Sequence, residues 1–503
     1  MTCCSRAFLI ATLAWSLAGT AQQPASKPLV PKIQETLITQ FSGRGKVLDY
    51  FSYGQDGVMW LEAYPNNTQA VMVNGTQMGD YYDEVKWSGH SEVHLQWIYA
   101  TRRKKQWVLV KNGKDATAAY DEMLPGSINA EGRFMVCARK DHKWRMVIDG
   151  QETGPEFDAM SPGGFNRSGD HYFAMGKRNN KWIGVLDGKE FGSEADEATE
   201  LWWFEAGHTV ALVKINHRWS WLVDGQPGPP FEVVSMPEFT PDGKHYTYAG
   251  ASTASGQVTG SIVIDGKITV SNAGAHIGGN WFTGRQLKPG VIQFTSSGHG
   301  VSDPKIADDG TVSYALRKGD KQIAVQWNGV AGPVFEDILS EIAITRDGKH
   351  IAYIGKRGDL VFQVRDQQVG PSFSAHATLT VVPWIFLSAD GSRLGYEIVR
   401  GGHSFKAGIG DMAWRRVVVD GNGAEYHALS AEGFQFSQDG KHYSWVAESG
   451  PPDHHQDWVI FDGVDGPRYD SIFYDFVRFV DDHTIEYTAR NGNRMLKITE
   501  KLQ

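Results

Sequence analysis

The sequence predicts an all-β fold, a β-propeller of about ten to eleven four-stranded modules, and three observations carry that prediction. Asn-Gly or Asp-Gly turns recur at near-constant spacing. A second set of Asp-Gly turns falls between them, and the apolar runs joining the turns are short and lack a 3.6-residue rhythm.

The first set consists of Asn74, Asn112, Asp149, Asp187, Asp224, Asp265, Asn328, Asp366, Asp420 and Asp462, separated by 38, 37, 38, 37, 41, 63, 38, 54 and 42 residues. All but Asp366 precede glycine, and each follows an apolar run such as VMV, VLV or MVI. A tight turn between strands needs positive φ at both central positions, which Asn-Gly and Asp-Gly supply. Trp107, Trp144, Trp182 and Trp219 each stand five residues ahead of their turn residue, so four neighbouring modules open the same strand with the same anchor.

The second set lies in FTPDGKHYTYA from Phe239, ITRDGKHIAYI from Ile344, LSADGSRLGYE from Leu387 and FSQDGKHYSWV from Phe436. Each reads as strand, turn, strand. A module is therefore four strands: A enters the second-set turn, B leaves it, C leads into the first-set turn, and D carries segments such as GPEFD. Four strands and four connections need about 36 residues, close to the observed period. Helical repeats of similar length would need a 3.6-residue apolar rhythm, which is missing, and leucine-rich repeats are shorter and Asn/Leu-patterned.

The PDGKHYTY and QDGKHYSW segments resemble the PD40, or WD40-like, repeats of TolB-type propellers. The resemblance covers most of the chain beyond about Lys46, although modules four and five lack the second-set Asp-Gly. It implies a propeller and a periplasmic or secreted binding role. The motif is a turn and packing signature, so no catalytic residue transfers with it.

At the N-terminus, Arg6, the apolar AFLIATLAWSLA from Ala7 and the small residues Gly19-Thr20-Ala21 predict an export signal over 1–21, followed by a flexible leader over 22–32. The apolar core is too short for a membrane span. Export places the protein in the periplasm or outside the cell. The mature chain then keeps only Cys137, which excludes an intrachain disulfide and predicts a buried thiol.

The final module has A-like, B-like and C-like segments but no D, while ETLITQF from Glu35 is a strand without a module. The two ends should pair and close the structure. Since rings commonly hold four to eight blades, the module number points to two rings. They would comprise modules over 33–270 and 306–503, divided by a Gly-rich insert over 271–305. One large ring is the alternative.

The formal charge of −9 is spread along the chain, which disfavours nucleic acid as a partner. The basic run Arg102 to Lys105 reads as a solvated B–C turn. Repeated residues answer the fold: His245, His350 and His442 all follow Asp-Gly-Lys, and Asp158, Glu232, Glu336 and Asp470 all follow the D-strand aromatic. Function is expected where the repeat breaks, at 271–305, 399–413 and 448–457.

In these loops Trp281, Arg285, His299, Lys406, Asp453 and His454 are the candidate ligand contacts. Aromatic faces and planar guanidinium groups suit a glycan, peptide or envelope partner. The sequence carries no reaction-specific motif, no cofactor signature and no metal-ligand spacing, because adjacent residues such as His454 and His455 point apart on an extended chain. The preferred reading is a non-catalytic binding scaffold. The alternative is an extracytoplasmic carbohydrate-active enzyme, a polysaccharide lyase or glycoside hydrolase, with Arg400, His403 and Asp411 as its catalytic candidates.

Overall fold

The computed structural model describes residues 31–41, 45–53, 57–91, 96–166, 168–254, 257–273, 286–288, 291–292, 301–319, 321–374, 379–400, 413–420, 425–428, 431–449, 455–473 and 477–502. The export signal and almost all of the leader lie outside them. The described residues form eleven sheets, one per module: 46–82, 84–115, 122–157, 159–195, 197–227, 233–292, 305–335, 337–374, 379–428, 431–465 and 471–501. Within a blade, consecutive strands pair antiparallel in the order A, B, C, D.

The turn chemistry explains this regularity. Asp149 and Gly150 have φ of 50° and 85°, and the same left-handed pair recurs at Asp187-Gly188 and Asp224-Gly225. The Asp side chain also bonds across to strand B: Asp149 Oδ1 accepts the Phe134 N–H at 2.9 Å, and Asn112 Oδ1 accepts the Trp97 N–H at 2.8 Å. Asp and Asn recur because they tolerate left-handed backbone and offer this oxygen.

The predicted closure is present. Lys32–Gln40 pairs antiparallel with Arg494–Lys501 and supplies the D strand of the eleventh blade, with Lys32 opposite Lys501 and Gln40 opposite Arg494. No exposed edge is left where the chain ends meet.

The two-ring expectation is corrected: the eleven blades form one ring. Eleven hydrophobic clusters fill eleven blade-to-blade interfaces in sequence. Met59, Val71 and Tyr82 of the first blade meet Trp97, Tyr99 and Val110 of the second. The last cluster joins Phe41 and Met495 of the closing blade to Val58, Trp60 and Met72 of the first. At the expected division, Val233, Ala249 and Ile262 pack with Val301, Tyr314 and Leu316, as at any other interface. The insert does not link two rings. It adds Gln286–Lys288 and Val291–Ile292 to the inner edge of the sixth sheet, where Val291 pairs parallel with Val234 and is fully buried.

The D strands form the outer edge. Gln151–Phe157 is largely exposed until Phe157, which is fully buried. That aromatic fits a hole in the next blade: Phe157, Phe231 and Phe335 lie against Gly176, Gly250 and Gly355 of the following B strands. The inner A strands are often broken in two. In the sixth blade the break is held by Ser235, whose hydroxyl accepts the Ala249 N–H at 2.8 Å and donates to the Met236 carbonyl at 3.1 Å. Cys137 is fully buried, and burial pushes its thiol up to about 12.

Candidate functional site

Antiparallel order puts the A–B and C–D turns on one face and the B–C and D–A connections on the other. On the turn face, the residue ending the A–B turn bonds the Asp of its own C–D turn. His171 meets Asp187 at 2.7 Å, His208 meets Asp224 at 2.6 Å, His245 meets Asp265 at 2.8 Å and His350 meets Asp366 at 2.9 Å. His442 with Asp462, and Arg393 with Asp420, repeat the contact.

Several of these groups also reach the next blade. His208 Nε2 lies 2.7 Å from the Gly243 carbonyl, and His442 Nε2 lies 3.1 Å from His483 Nδ1. The histidines after Asp-Gly-Lys thus sit within the scaffold. The second-set Asp is equally local: Asp242 accepts the Thr240 hydroxyl and the Lys244 N–H, and its bond to the Lys244 ammonium holds its carboxyl well below the usual range.

On the loop face, the acid that follows the D strand's last buried residue, an aromatic or, in the fourth blade, Ala195, caps the next blade's B–C region. Asp83 accepts the Lys104 N–H at 3.2 Å, Asp196 the Asn216 N–H at 2.7 Å, Glu232 the Thr253 N–H at 3.2 Å and Asp470 the Gly492 N–H at 2.6 Å. The repeated tryptophans are covered by the strand-B cation that pairs directly opposite each of them. Arg102 lies 5.8 Å from Trp107, Arg139 5.7 Å from Trp144, Lys177 5.8 Å from Trp182 and Lys214 5.3 Å from Trp219. The basic run is likewise engaged: Arg102 bridges Glu84 and Arg103 bridges Asp115, both at 2.8 Å, while Lys104 and Lys105 occupy the turn at φ of 51° and 71°.

All three interruptions leave from this second face. The insert follows Ala273, which pairs with Thr259 at the B–C end of the sixth blade. The second loop leaves Arg400, whose backbone pairs with Leu379 and Trp414, and the third leaves Ser449, opposite Gln456. Trp281, Arg285, His299, His403, Lys406, Asp411, Asp453 and His454 lie outside the described residues.

At the root of the third loop, His455 sits between two carboxylates, with Nε2 2.7 Å from Asp457 and Nδ1 3.3 Å from Glu448. Asp457 is buried, accepts the Ile472 N–H of the eleventh blade at 2.7 Å, and has its pKa raised by that burial. The imidazole thus lies within charge-pair distance of both carboxylates at the loop root, although Asp457 Oδ1 makes no hydrogen bond of good geometry among the described residues.

A second cluster was not foreseen, because it joins residues of three blades on their inner strands. Lys305 Nζ lies 2.6 Å from Glu238 and 3.4 Å from Glu341. Burial alone would lower the Lys305 pKa, but the two carboxylates outweigh it and raise it. The only signal available in sequence was charge at A-strand positions that are apolar or small elsewhere, such as Ala343 and Gly164.

Among the described residues, no group of three or more His, Cys, Asp or Glu side chains is placed to hold a metal ion, and no helix is long and apolar enough to cross a membrane.

No family model and no curated protein matches the chain. Among solved structures it is similar to the β-propeller domain of the Trilobed protease from Pyrococcus furiosus, at 13% identity over 53% of this chain and 82% of that one, with a TM-score of 0.28. It is similar to the tricorn protease at 13% identity over 88% of this chain and 51% of that one (TM-score 0.25). It is also similar to TolB from Acinetobacter baumannii at 13% identity over 55% of this chain and 65% of that one (TM-score 0.23).

Proposed function

We propose that this protein is an exported, non-catalytic binding scaffold that receives a glycan, peptide or envelope partner on its loop face, between the sixth and tenth blades. One observation carries the reading: the three breaks in the repeat leave from one face, whereas the charged side chains described on the opposite face are used within and between blades. A propeller presents its variable loops from a rigid ring, the arrangement in which loops serve recognition. Within that sector, Trp281 and Arg285 of the insert, with Lys406, Asp453 and His454, supply stacking, planar and charged contacts. Export rests on Arg6 and the apolar segment that follows it.

The test is a thermal-shift and turnover screen of the mature protein against acidic and neutral polysaccharides, peptides and cell-envelope fragments. The expected result is a stabilising ligand that is not converted, with the shift lost in Trp281→Ala or Arg285→Ala while the melt without ligand is unchanged. Product formation abolished by Arg400→Ala or His403→Ala would overturn the reading.

A further inference from the structure

The closing blade carries an acid where most other blades carry an aliphatic residue and the seventh carries the neutral Gln326. The C-strand residue two positions before the N–H that closes the C–D turn is Val147, Val185, Leu222, Val263, Val364 or Ile460 in other blades. In the eleventh blade the bond from the Leu502 N–H to the His483 carbonyl marks the same place, and the residue there is Glu500. Its side chain is fully buried. Oε1 accepts the Tyr487 hydroxyl at 2.5 Å, and Oε2 is buried without a hydrogen-bonding partner among the described residues.

No cation faces it. Strand alternation puts Lys497, Thr499 and Lys501 on the other side of the sheet, and Glu486, which bonds Lys497 and Thr499, lies there too. From the tenth blade, Gly466 approaches so closely that a Cβ there would stand 2.8 Å from Oε1. The other ionisable neighbours are Tyr469 of the tenth blade, whose ring meets Tyr487 edge-on at 6.3 Å, and Glu35 of the N-terminal strand, which accepts the Tyr469 hydroxyl at 2.8 Å. Ile33 of that strand pairs directly with Glu500.

We propose that Glu500 makes closure of the ring sensitive to pH: as a neutral acid it is compatible with the packed closing sheet, and as a carboxylate it weakens the hold on the Lys32–Gln40 strand. A buried charge with a single donor and no counter-ion favours any state that lets water reach it. The direction agrees, since burial, only partly offset by the Tyr487 hydrogen bond, raises the Glu500 pKa to about 7. A carboxyl raised in the folded state contributes fully below the ordinary carboxyl range, is lost as pH rises toward about 7, and is level above it.

Amide hydrogen exchange of 32–40 and 494–501, corrected for intrinsic rates, tests this on the full chain. Protection of these two strands should fall by on the order of tenfold or more between about pH 5 and about pH 8, with the third blade unchanged. In Glu500→Gln the dependence should vanish. A flat profile in the wild type, or an unchanged slope in Glu500→Gln, would overturn the proposal. Should that variant not fold, Tyr487→Phe decides: losing the one donor to the carboxylate must extend the fall to higher pH, and an unmoved or lowered midpoint refutes the mechanism.

Discussion

Replacing Gly250 by alanine would measure how much of this ring is held by aromatic side chains entering glycine holes in the next blade. Gly250 is in mid-strand, opposite Val234 and Ser261, with no left-handed backbone to protect. By backbone preference alone the substitution should stabilise by about 0.5–1 kcal/mol. The obstacle is Phe231: a Cβ at Gly250 would lie 2.2 Å from its Cδ2 and 2.4 Å from Cε2 and Cγ. The ring has little room to retreat. Phe231 is 4% exposed, its backbone is tied to Trp219 by bonds of 2.8 and 2.7 Å, and its ring meets Tyr248 edge-on. Overpacking of this kind costs roughly 1–3 kcal/mol, and overlap on three ring atoms puts it at the upper end, so the net loss should be about 2 kcal/mol after the backbone gain. Urea unfolding should show a lower midpoint at unchanged slope. Phe231→Leu removes the obstructing ring atoms, so the double variant should lose clearly less than the sum of the singles. A Gly250→Ala protein within about 0.5 kcal/mol of wild type, or strict additivity, would refute the interlock.

Further predictions concern charge. In His208, burial opposes protonation, but hydrogen bonds to Asp224 and the Gly243 carbonyl prevail and raise its pKa. Its contribution is therefore full below the ordinary His value and lost as pH rises through the folded one, so thermal melts of His208→Ala should show a larger deficit at about pH 6 than at about pH 8.5. Lys305→Met leaves Glu238 and Glu341 close together without their cation, and should destabilise by about 2 kcal/mol, recovered in part by adding Glu238→Gln. Lys143→Ala removes a 2.6 Å bridge to Asp158 between side chains 45% and 54% exposed, and its melt should stay within about 0.5 kcal/mol of wild type. A loss above about 1 kcal/mol there would mean that the loop-face acids need their lysines as well as the backbone they cap.

The blades could be read from sequence because each is specified locally. An Asp-Gly pair fixes two left-handed φ values and one side-chain bond, and Trp144 at the start of strand C is set by the next few residues; nothing distant is needed. The pairing of both chain ends could be read for a related reason, since one module lacked a strand and one strand lacked a module. Ring number could not. It depends on the small angle between adjacent blades, set by side-chain volumes at eleven interfaces, and a long insert at 271–305 looks the same in sequence whether it links two rings or lies against one blade. The Glu238, Lys305 and Glu341 cluster was hidden likewise, because its members stand 67 and 36 residues apart in the numbering and meet only through blade packing.

One sequence signal does bear on the site. At most tight B–C turns the preceding blade supplies an acid at the end of its D strand, as Asp83 does for Lys104 and Asp470 for Gly492, the seventh blade, preceded by Ala273-Gly274, being the exception. Before the ninth and tenth blades the acid is missing: Phe373 is followed by Ser374 and Tyr426 by His427. The B–C connections of these two blades lengthen to 401–412 and 450–455, as that of the first blade, which follows Phe41-Ser42, lengthens to 64–68. The cap and the tight turn stabilise one another, so losing the acid relaxes one constraint on the length of the connection. A loop lengthened by drift alone would leave an unused acid in the preceding blade. Here the missing acid and the longer connection occur together at two successive interfaces, beside the insert of the sixth blade, which makes these loops a first place to look for the ligand.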